Sequence, residues 1–211
     1  MIDSITQKYK QLPYMSHEQA TYMRELILKN KCQNLCELGT HVGKSATYFG
    51  AILKEQGNGK LTTFDLTYPE KNPRVETLLK EFNLTEYVTV VRSVGGYTWD
   101  LAEMILKGVD EKFDFCYIDG GHTFLFTGMG FVLVNILMKP GGIVIFDDVN
   151  WTIENNPTAF VNIKVMSDEE KAIAGVKRVC DTIVANSGYT LIDNVNRFNW
   201  LVYRKDLGVE E

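Results

Sequence analysis

The sequence predicts an α/β fold with a doubly wound, mostly parallel, seven-stranded sheet that ends in an antiparallel hairpin. Short apolar runs alternate along most of the chain with stretches in which apolar side chains recur at helical spacing. This alternation is typical of parallel strands joined by right-handed helical crossovers. The last two runs, YTLID and RFNWLVYRK, are separated only by an Asn-rich turn, which predicts a hairpin.

Each element has a local signal. A helix over residues 16–29 follows Ser16, a suitable N-cap, and carries Met23 and Ile27 on one face. Further helices are predicted over residues 43–53, 72–82, 98–106, 124–138 and 167–185, the last beginning with Ser167 and a run of acidic residues. Strands are predicted at NLCELG, LTTFDL, the valine-rich residues 88–92, FDFCYIDGGH and GGIVIFDDVNW.

The length suits one domain. We divide the 211 residues into an N-terminal helical cap over residues 1–31, a core over residues 32–205 and a substrate loop over residues 150–166. The loop has no clear periodicity and directly follows a strand that ends in two carboxylates. A long irregular segment at such a place is more often functional than not.

Composition excludes several classes of protein. The net charge of -5 argues against a nucleic-acid binder, and no apolar run is long enough to cross a membrane. The four cysteines lack the spacing of a zinc site, and two of them, Cys36 and Cys116, fall within predicted buried strands. The N-terminus lacks the apolar core of a signal peptide. We therefore expect a reduced, cytoplasmic protein.

Two strand-like runs end in carboxylates, at Asp119 and at Asp147 and Asp148, and His122 follows the first by three positions. Ligands bind beyond the carboxyl ends of parallel strands, so neighbouring strands would bring these groups together. Such a group can hold a divalent cation and offer a base. Other roles stay open: Asp119 as a helix N-cap, Asp148 pointing into solvent, and His122 as a structural residue.

The segment CELGTHVGKS joins the first strand to its helix. Gly39 permits a sharp turn, and Gly43 permits a helix start close to a ligand. The spacing differs from the fingerprint that seats a pyrophosphate. Glu37 could accept hydrogen bonds from an amino group, and Asp65, at the end of the second strand, could accept them from a ribose diol. These features suit S-adenosylmethionine, whereas the alternative is a tight turn beside two exposed acids.

At these residues the chain resembles the class I S-adenosylmethionine-dependent methyltransferases. The segment ELGTHVG looks like their first motif, with His41 where a middle glycine is usual. The resemblance implies the Rossmann-like methyltransferase fold over nearly all of residues 34–205. It also implies a set of residues that hold the methyl donor: Glu37, Gly39, Thr40, Gly43, Ser45, Asp65, Ser93 and Asp119.

Within that superfamily, IDGGH and FDD are most similar to the metal-dependent O-methyltransferases, especially the macrocin-type enzymes that act on sugars of macrolide antibiotics. This resemblance implies that Asp119, Asp147 and Asp148 bind Mg²⁺ and that His122 is the general base. The expected reaction is methyl transfer to a hydroxyl of a small metabolite, a sugar or another polyol or phenol. Many relatives carry an acidic residue where this chain has Gly130.

The run TFLFTGMGFVLVNILM, which contains Gly130, has no charged residue. An outer helix normally has a polar face, so we expect this helix to lie beneath the cap or at a homodimer contact.

Acceptor selection is expected from the segments above the sheet edge. The candidates are Tyr14, Met15, Tyr68 and residues 151–160, in which Trp151 could stack on a ring or pack within the loop. Asn155, Asn156 and Asn162 could bond hydroxyl groups.

Two other functions stay open, a metal-independent methyltransferase and a non-catalytic module that binds the donor. A nicotinamide dehydrogenase is disfavoured, because the glycine spacing and the terminal hairpin both oppose it.

Overall fold

The computed structural model describes residues 1–108, 113–156 and 163–208. The helices are α1 (Ile2–Lys8), α2 (His17–Asn30), α3 (Lys44–Gln56), α4 (Val75–Glu81), α5 (Tyr97–Leu106), α6 (Phe124–Leu137), α7 (Asp168–Ala172) and α8 (Gly175–Thr182). The strands are β1 (Asn34–Leu38), β2 (Lys60–Leu66), β3 (Val88–Ser93), β4 (Phe113–Ile118), β5 (Met138–Phe146), β6 (Tyr189–Val195) and β7 (Trp200–Lys205). Among these helices, none is long and apolar enough to cross a membrane.

The strands form one sheet in the order β3-β2-β1-β4-β5-β7-β6. The first five strands are parallel, whereas β7 pairs antiparallel with both β5 and β6. The predicted doubly wound sheet with a C-terminal hairpin is confirmed. Strand order reverses between β1 and β4, and a crevice outside the carboxyl ends at such a switch point is where α/β sheets bind ligands.

Two hydrophobic cores cover the two faces of the sheet. One joins α1, α2, α3 and α4 to the sheet and includes Tyr48, Phe49 and Trp200. The other joins α5, α6 and α8 to the opposite face and includes Phe131 and Phe146. The N-terminal helices therefore pack beside α3, and α2 begins at a capping box in which Ser16 and Gln19 bond each other reciprocally.

Two predicted helices differ from those observed. The helix predicted over residues 72–82 begins only at Val75, because Arg74 is extended. The helix predicted over residues 167–185 is divided into α7 and α8, because Ile173 and Ala174 are extended between them. Because the helix is divided, α8 can begin in close contact with the backbone that precedes α6. A Cβ built on Gly175 would lie 2.8 Å from the carbonyl oxygen of His122, so only glycine permits this approach.

The charge-free helix α6 packs on α5 and α8 and leaves an apolar face exposed. Six side chains on it are between 41% and 69% exposed: Phe124, Leu125, Phe126, Met129, Val132 and Ile136. The alternative that the cap covers α6 is wrong, because α1 and α2 pack with α3 in the other core. The homodimer contact stays a prediction, and an uncharged helix face can pack on its own copy without opposing like charges.

We expect the protein to be a dimer through α6 and the double variant Leu125→Glu/Met129→Glu to be a monomer. The two new carboxylates of each copy would be buried against those of the other. Light scattering after size exclusion should give about twice 24.0 kDa for the wild type and 24.0 kDa for the variant. Val165→Glu, at another exposed apolar residue, is the matched control. A wild-type monomer at micromolar concentration would contradict the prediction.

Candidate functional site

The turn after β1 is pressed against the end of β4. Gly39 has φ +107°, and a Cβ built on it would lie 2.4 Å from the carbonyl oxygen of Asp119. His41 has φ +48°, a conformation that favours glycine, which accounts for the glycine expected at this position. The His41 backbone N–H donates to Asp65 Oδ2 at 2.7 Å. The glycine turn is thus fixed to the ends of both neighbouring strands.

Three adjoining cavities lie along the carboxyl edge of the sheet. The turn cavity, of about 200 Å³, is bounded by the glycine turn and residues 119–122. The outer cavity, of about 210 Å³, is bounded by Leu66, residues 95–98 and Phe126. The cap cavity, of about 520 Å³, is bounded by the N-terminal helices and the three strand-end aspartates. Together they form an elongated crevice at the switch point of the sheet.

The predicted donor residues divide into two groups. Gly39, Thr40, Ser45, Asp65 and Asp119 line the turn cavity, and Gly39 and Asp65 also line the outer cavity. Glu37, Gly43 and Ser93 are not among the residues that line the three cavities. Their predicted contacts with the donor stay predictions.

The structure gives Gly43 and Ser93 other contacts. Gly43 has φ +83°, and a Cβ on it would lie 2.2 Å from a methyl carbon of Val75, so the close approach is to α4. Ser93 donates a hydrogen bond to Asp100 at 2.9 Å, across the start of α5. In the structure, both residues therefore contact neighbouring helices, Gly43 at α4 and Ser93 at α5, and not the crevice itself.

Glu37 is fully buried beneath the glycine turn. Its Oε2 accepts a hydrogen bond from the Thr63 hydroxyl at 2.5 Å, and the Thr63 oxygen lies 2.5 Å from that of Thr40. Burial raises the pKa of Glu37 to about 7, and the charge of Asp65 adds to this, whereas hydrogen bonds from Ser45 and Thr63 oppose it. Glu37 thus supports the turn through a chain of hydroxyl groups.

The strand-end carboxylates converge as predicted, but unequally. One ligand atom each from Asp119, His122 and Asp148 lies within 4.8 Å of the others. Asp148 Oδ2 is 3.8 Å from His122 Nδ1. Asp148 faces this group, where its φ of +53° breaks the alternation of strand residues, and its side chain is also 42% exposed to solvent. The alternative that Asp119 is an N-cap is wrong, because Thr123 caps α6.

Asp147 lines the cap cavity but stands outside that group of three. It accepts hydrogen bonds from the Tyr117 hydroxyl and from the Asp148 backbone N–H. Burial raises the pKa of Asp147 to about 6, and the charge of Asp148 adds to this, whereas the Tyr117 bond opposes it. Its role as a metal ligand stays a prediction. Tyr117 lies two residues before Asp119 on β4, so side-chain alternation could have placed it on the face of that residue.

The group fits a hard divalent cation. Burial, and then the charges of Asp147, Asp148 and Glu37, raise the pKa of Asp119 well above its usual value. Carboxylates held this close repel each other unless a proton or a cation lies among them. Two carboxylate oxygens, from Asp119 and Asp148, leave four positions of an octahedral shell for water and a hydroxyl ligand, which suits Mg²⁺ and leaves the imidazole free to act as a base.

His122 sits on a strained loop. Its φ is +35°, and its ring lies 5.5 Å from that of Trp151, centroid to centroid, at an interplanar angle of 36°. Burial lowers the pKa of His122, although the charge of Asp148 opposes this. A lowered pKa favours the neutral imidazole, the form that can accept a proton. Trp151 packs on this histidine, which favours the packing role left open for it.

The loop after Asp119 is held by a residue that the sequence did not indicate. The Tyr97 hydroxyl lies within hydrogen-bonding distance of the carbonyl oxygens of Gly120 and Phe126, at 3.0 and 3.2 Å. A Cβ built on Gly130 would lie 2.8 Å from the Tyr97 ring. The space that an acidic side chain would need at position 130 is therefore filled by Tyr97.

Only part of the expected acceptor segment borders the cap cavity. Tyr14 and Met15 line it, and the Tyr14 ring makes an edge contact with His41 at 4.8 Å. Tyr68 is exposed, and Asn155 and Asn156 hydrogen-bond Thr152 within their own loop. Phe160 and Asn162 lie outside the described residues.

Comparison with known proteins agrees with this geometry. Residues 36–149, more than half of the chain, match the family described as a methyltransferase domain. The chain belongs to this family. The predicted methyltransferase class is confirmed, and the closer likeness to enzymes of macrolide sugars stays a prediction. No curated protein matches the chain in sequence.

Solved structures of methyltransferases share the fold at low sequence identity. An O-methyltransferase of tomaymycin synthesis from Streptomyces achromogenes, in complex with SAM, has a TM-score of 0.68 at 17% identity and covers 98% of this chain and 89% of its own. An O-methyltransferase from Bacillus cereus in complex with SAH has a TM-score of 0.65 at 20% identity and covers 96% of this chain and 89% of its own. An SAH-bound methyltransferase from Podospora anserina has a TM-score of 0.67 at 14% identity and covers 97% of this chain and 86% of its own.

We expect Glu37→Gln to stabilise the protein increasingly as pH rises. The pKa of Glu37 is about 7 in the folded protein against 4.5 ordinarily, so ionisation opposes folding. The cost of ionisation is absent below about pH 4.5, grows between the two pKa values and is complete above about pH 7. There the free energy of unfolding of the variant should exceed that of the wild type by up to about 3 kcal/mol.

Urea unfolding across this pH range measures the effect, with Glu25→Gln on the exposed side of α2 as the matched control. A stability difference that does not change with pH would contradict the assigned pKa.

Proposed function

We propose that the protein transfers a methyl group from S-adenosylmethionine to a hydroxyl of a small metabolite, a sugar or another polyol or phenol, with assistance from Mg²⁺. One observation carries the proposal: Asp119 and Asp148 line both the turn cavity and the cap cavity. A space for the donor and a larger space for the acceptor therefore meet at the group that fits a cation. Two proteins of this fold that are named O-methyltransferases hold SAM or SAH.

The donor would lie along the turn and outer cavities. Asp65 stands where these two cavities join, and its carboxylate already accepts N–H donors from His41 and Leu66. A second pair of lone-pair sites on that carboxylate suits the ribose diol. The outer cavity has mostly apolar walls, including Leu66 and Phe126, and suits the adenine ring. The donor supplies an activated methyl group.

Asp119 and Asp148 would hold Mg²⁺, with Asp147 beside them. When bound, the cation would lower the pKa of an acceptor hydroxyl. The protein's own contribution is placement, because the carboxylates fix where an acceptor oxygen can lie relative to the turn cavity. Asp147 is held in place by Tyr117, so the chain sets the group before any ligand arrives.

His122 would take the proton of the hydroxyl. Its ring lies at the same carboxylate group and packs on Trp151, and both restrict its orientation. Asp148 Oδ2, 3.8 Å from His122 Nδ1, would stabilise the imidazolium that forms.

We expect mutations to separate the binding of the cation from the action of the base. Asp119→Asn and Asp148→Asn should weaken Mg²⁺ binding at least tenfold, because each removes a charged oxygen ligand. His122→Ala should leave Mg²⁺ affinity within about threefold and lower the rate by about 10²–10⁴, as expected for loss of a general base. Calorimetry with Mg²⁺ in the presence of SAH, and SAH formation with a panel of polyols and phenols, measure the two effects.

The outcomes separate three mechanisms. Equal loss of Mg²⁺ affinity in His122→Ala would make the histidine a ligand. Turnover that survives exhaustive chelation would favour a metal-independent methyltransferase. Tight SAH binding without turnover of any acceptor would favour a non-catalytic module. Asp168→Asn, at an exposed carboxylate on α7, is the control for each measurement.

We expect Asp65→Asn to weaken SAH binding by about 10- to 100-fold, because a charge-assisted hydrogen bond to the ribose is replaced by a weaker one. Mg²⁺ affinity should stay unchanged, since Asp65 is not in the cation group. Calorimetric titration with SAH measures the loss. Unchanged SAH affinity would show that the donor does not occupy the junction of the two cavities.

A further inference from the structure

Lys44 is a buried cation with no carboxylate partner in the described part of the chain. Lys44 is the first residue of α3 and is 8% exposed. Its ammonium donates a hydrogen bond to the Leu12 carbonyl oxygen at 2.9 Å. Burial lowers its pKa. A positive charge at a helix N-terminus is also unfavourable. The bond to Leu12 uses one of the three N–H donors of this ammonium, which leaves two donors for a ligand.

Lys44 lines both the turn cavity and the cap cavity. Two more basic side chains border the cap cavity, Lys10 after α1 and His17 at the start of α2. Lys10 has no ion pair within residues 1–108, 113–156 and 163–208, whereas His17 is paired with Asp3 at 2.7 Å. The cavity thus combines carboxylates at the strand ends with the ammonium groups of Lys44 and Lys10.

We propose that the acceptor carries an anionic group, a carboxylate or a phosphate, that pairs with Lys44. The proposal rests on the proposed function and names the class of its substrate: a hydroxylated acid. The hydroxyl lies at the strand-end carboxylates. The anionic group lies away from them, because like charges would repel it, and meets Lys44 and Lys10. A ligand anion offsets the cost of the buried ammonium.

The charge distribution favours the acceptor over the donor as the source of this anion. The ammonium of Lys44 is fixed on Leu12, in the segment that joins the two N-terminal helices. Lys10 of that segment and His17 at the start of α2 border the cap cavity and not the turn cavity. The turn cavity has Lys71 of its own for the carboxylate of the donor.

The test is calorimetric binding of matched probes in the presence of SAH and Mg²⁺. The carboxylate pair is 3,4-dihydroxybenzoate and catechol; the phosphate pair is glycerol 3-phosphate and glycerol. The wild type should bind the anionic member of at least one pair 10-fold or more tightly than its neutral member. The pair that shows the preference identifies the anion. Lys44→Met should reduce that preference below about twofold and leave SAH affinity within about twofold.

Lys44→Arg keeps the charge and should retain the preference. Lys29→Met, on the exposed side of α2, changes the net charge equally and should also retain it. If Lys44→Met does not fold, Lys44→Gln replaces it.

Three results would overturn the inference: no anion preference in the wild type, a preference that survives in Lys44→Met, or a tenfold loss of SAH affinity in that variant. The last would assign Lys44 to the donor. Failure of the wild type to bind SAH would instead overturn the proposed function, so the two failures are distinguishable.

Discussion

The contact between the glycine turn and the end of β4 is the constraint on which the site depends. The Asp119 backbone N–H donates to the Leu38 carbonyl at 2.9 Å, and the Asp119 carbonyl leaves no room for a side chain at Gly39. This contact brings the space beside the turn and the carboxylate of Asp119 together at the switch point of the sheet. A donor and an acceptor can meet there because two adjacent strand ends are in backbone contact.

The same closeness has an electrostatic cost. Glu37, Asp119 and Asp147 each have a raised pKa, chiefly because they are buried, and the charges of neighbouring carboxylates raise each pKa further. Tyr117 and Thr63 donate hydrogen bonds to two of them, which offsets only part of that cost. The repulsion that remains lowers the stability of the folded protein, and binding of the cation proposed above would relieve it.

The convergence of the strand-end carboxylates could be predicted because strand ends are easy to locate in a sequence. The alternation of elements and the acids that follow apolar runs predicted which carboxylates meet. Side-chain direction could not be predicted where the backbone leaves the regular strand conformation. Asp148 turns inward through a left-handed φ, and the approach at Gly175 divides a helix that its spacing had joined. The burial of Lys44 could not be predicted, because it depends on the N-terminal segment that packs over it.

Gly130 stands where the resemblance leads one to expect an acid, and the surrounding structure has no space for one. An acid at this position in α6 would project toward Tyr97, whose ring already fills the space. Tyr97 spans the loop after Asp119, between the carbonyl oxygens of Gly120 and Phe126. A buried phenol can therefore position the segment that carries His122 through hydrogen bonds rather than through charge. Glycine at position 130 adds no negative group beside the strand-end carboxylates, and Tyr97 still holds the loop that carries His122.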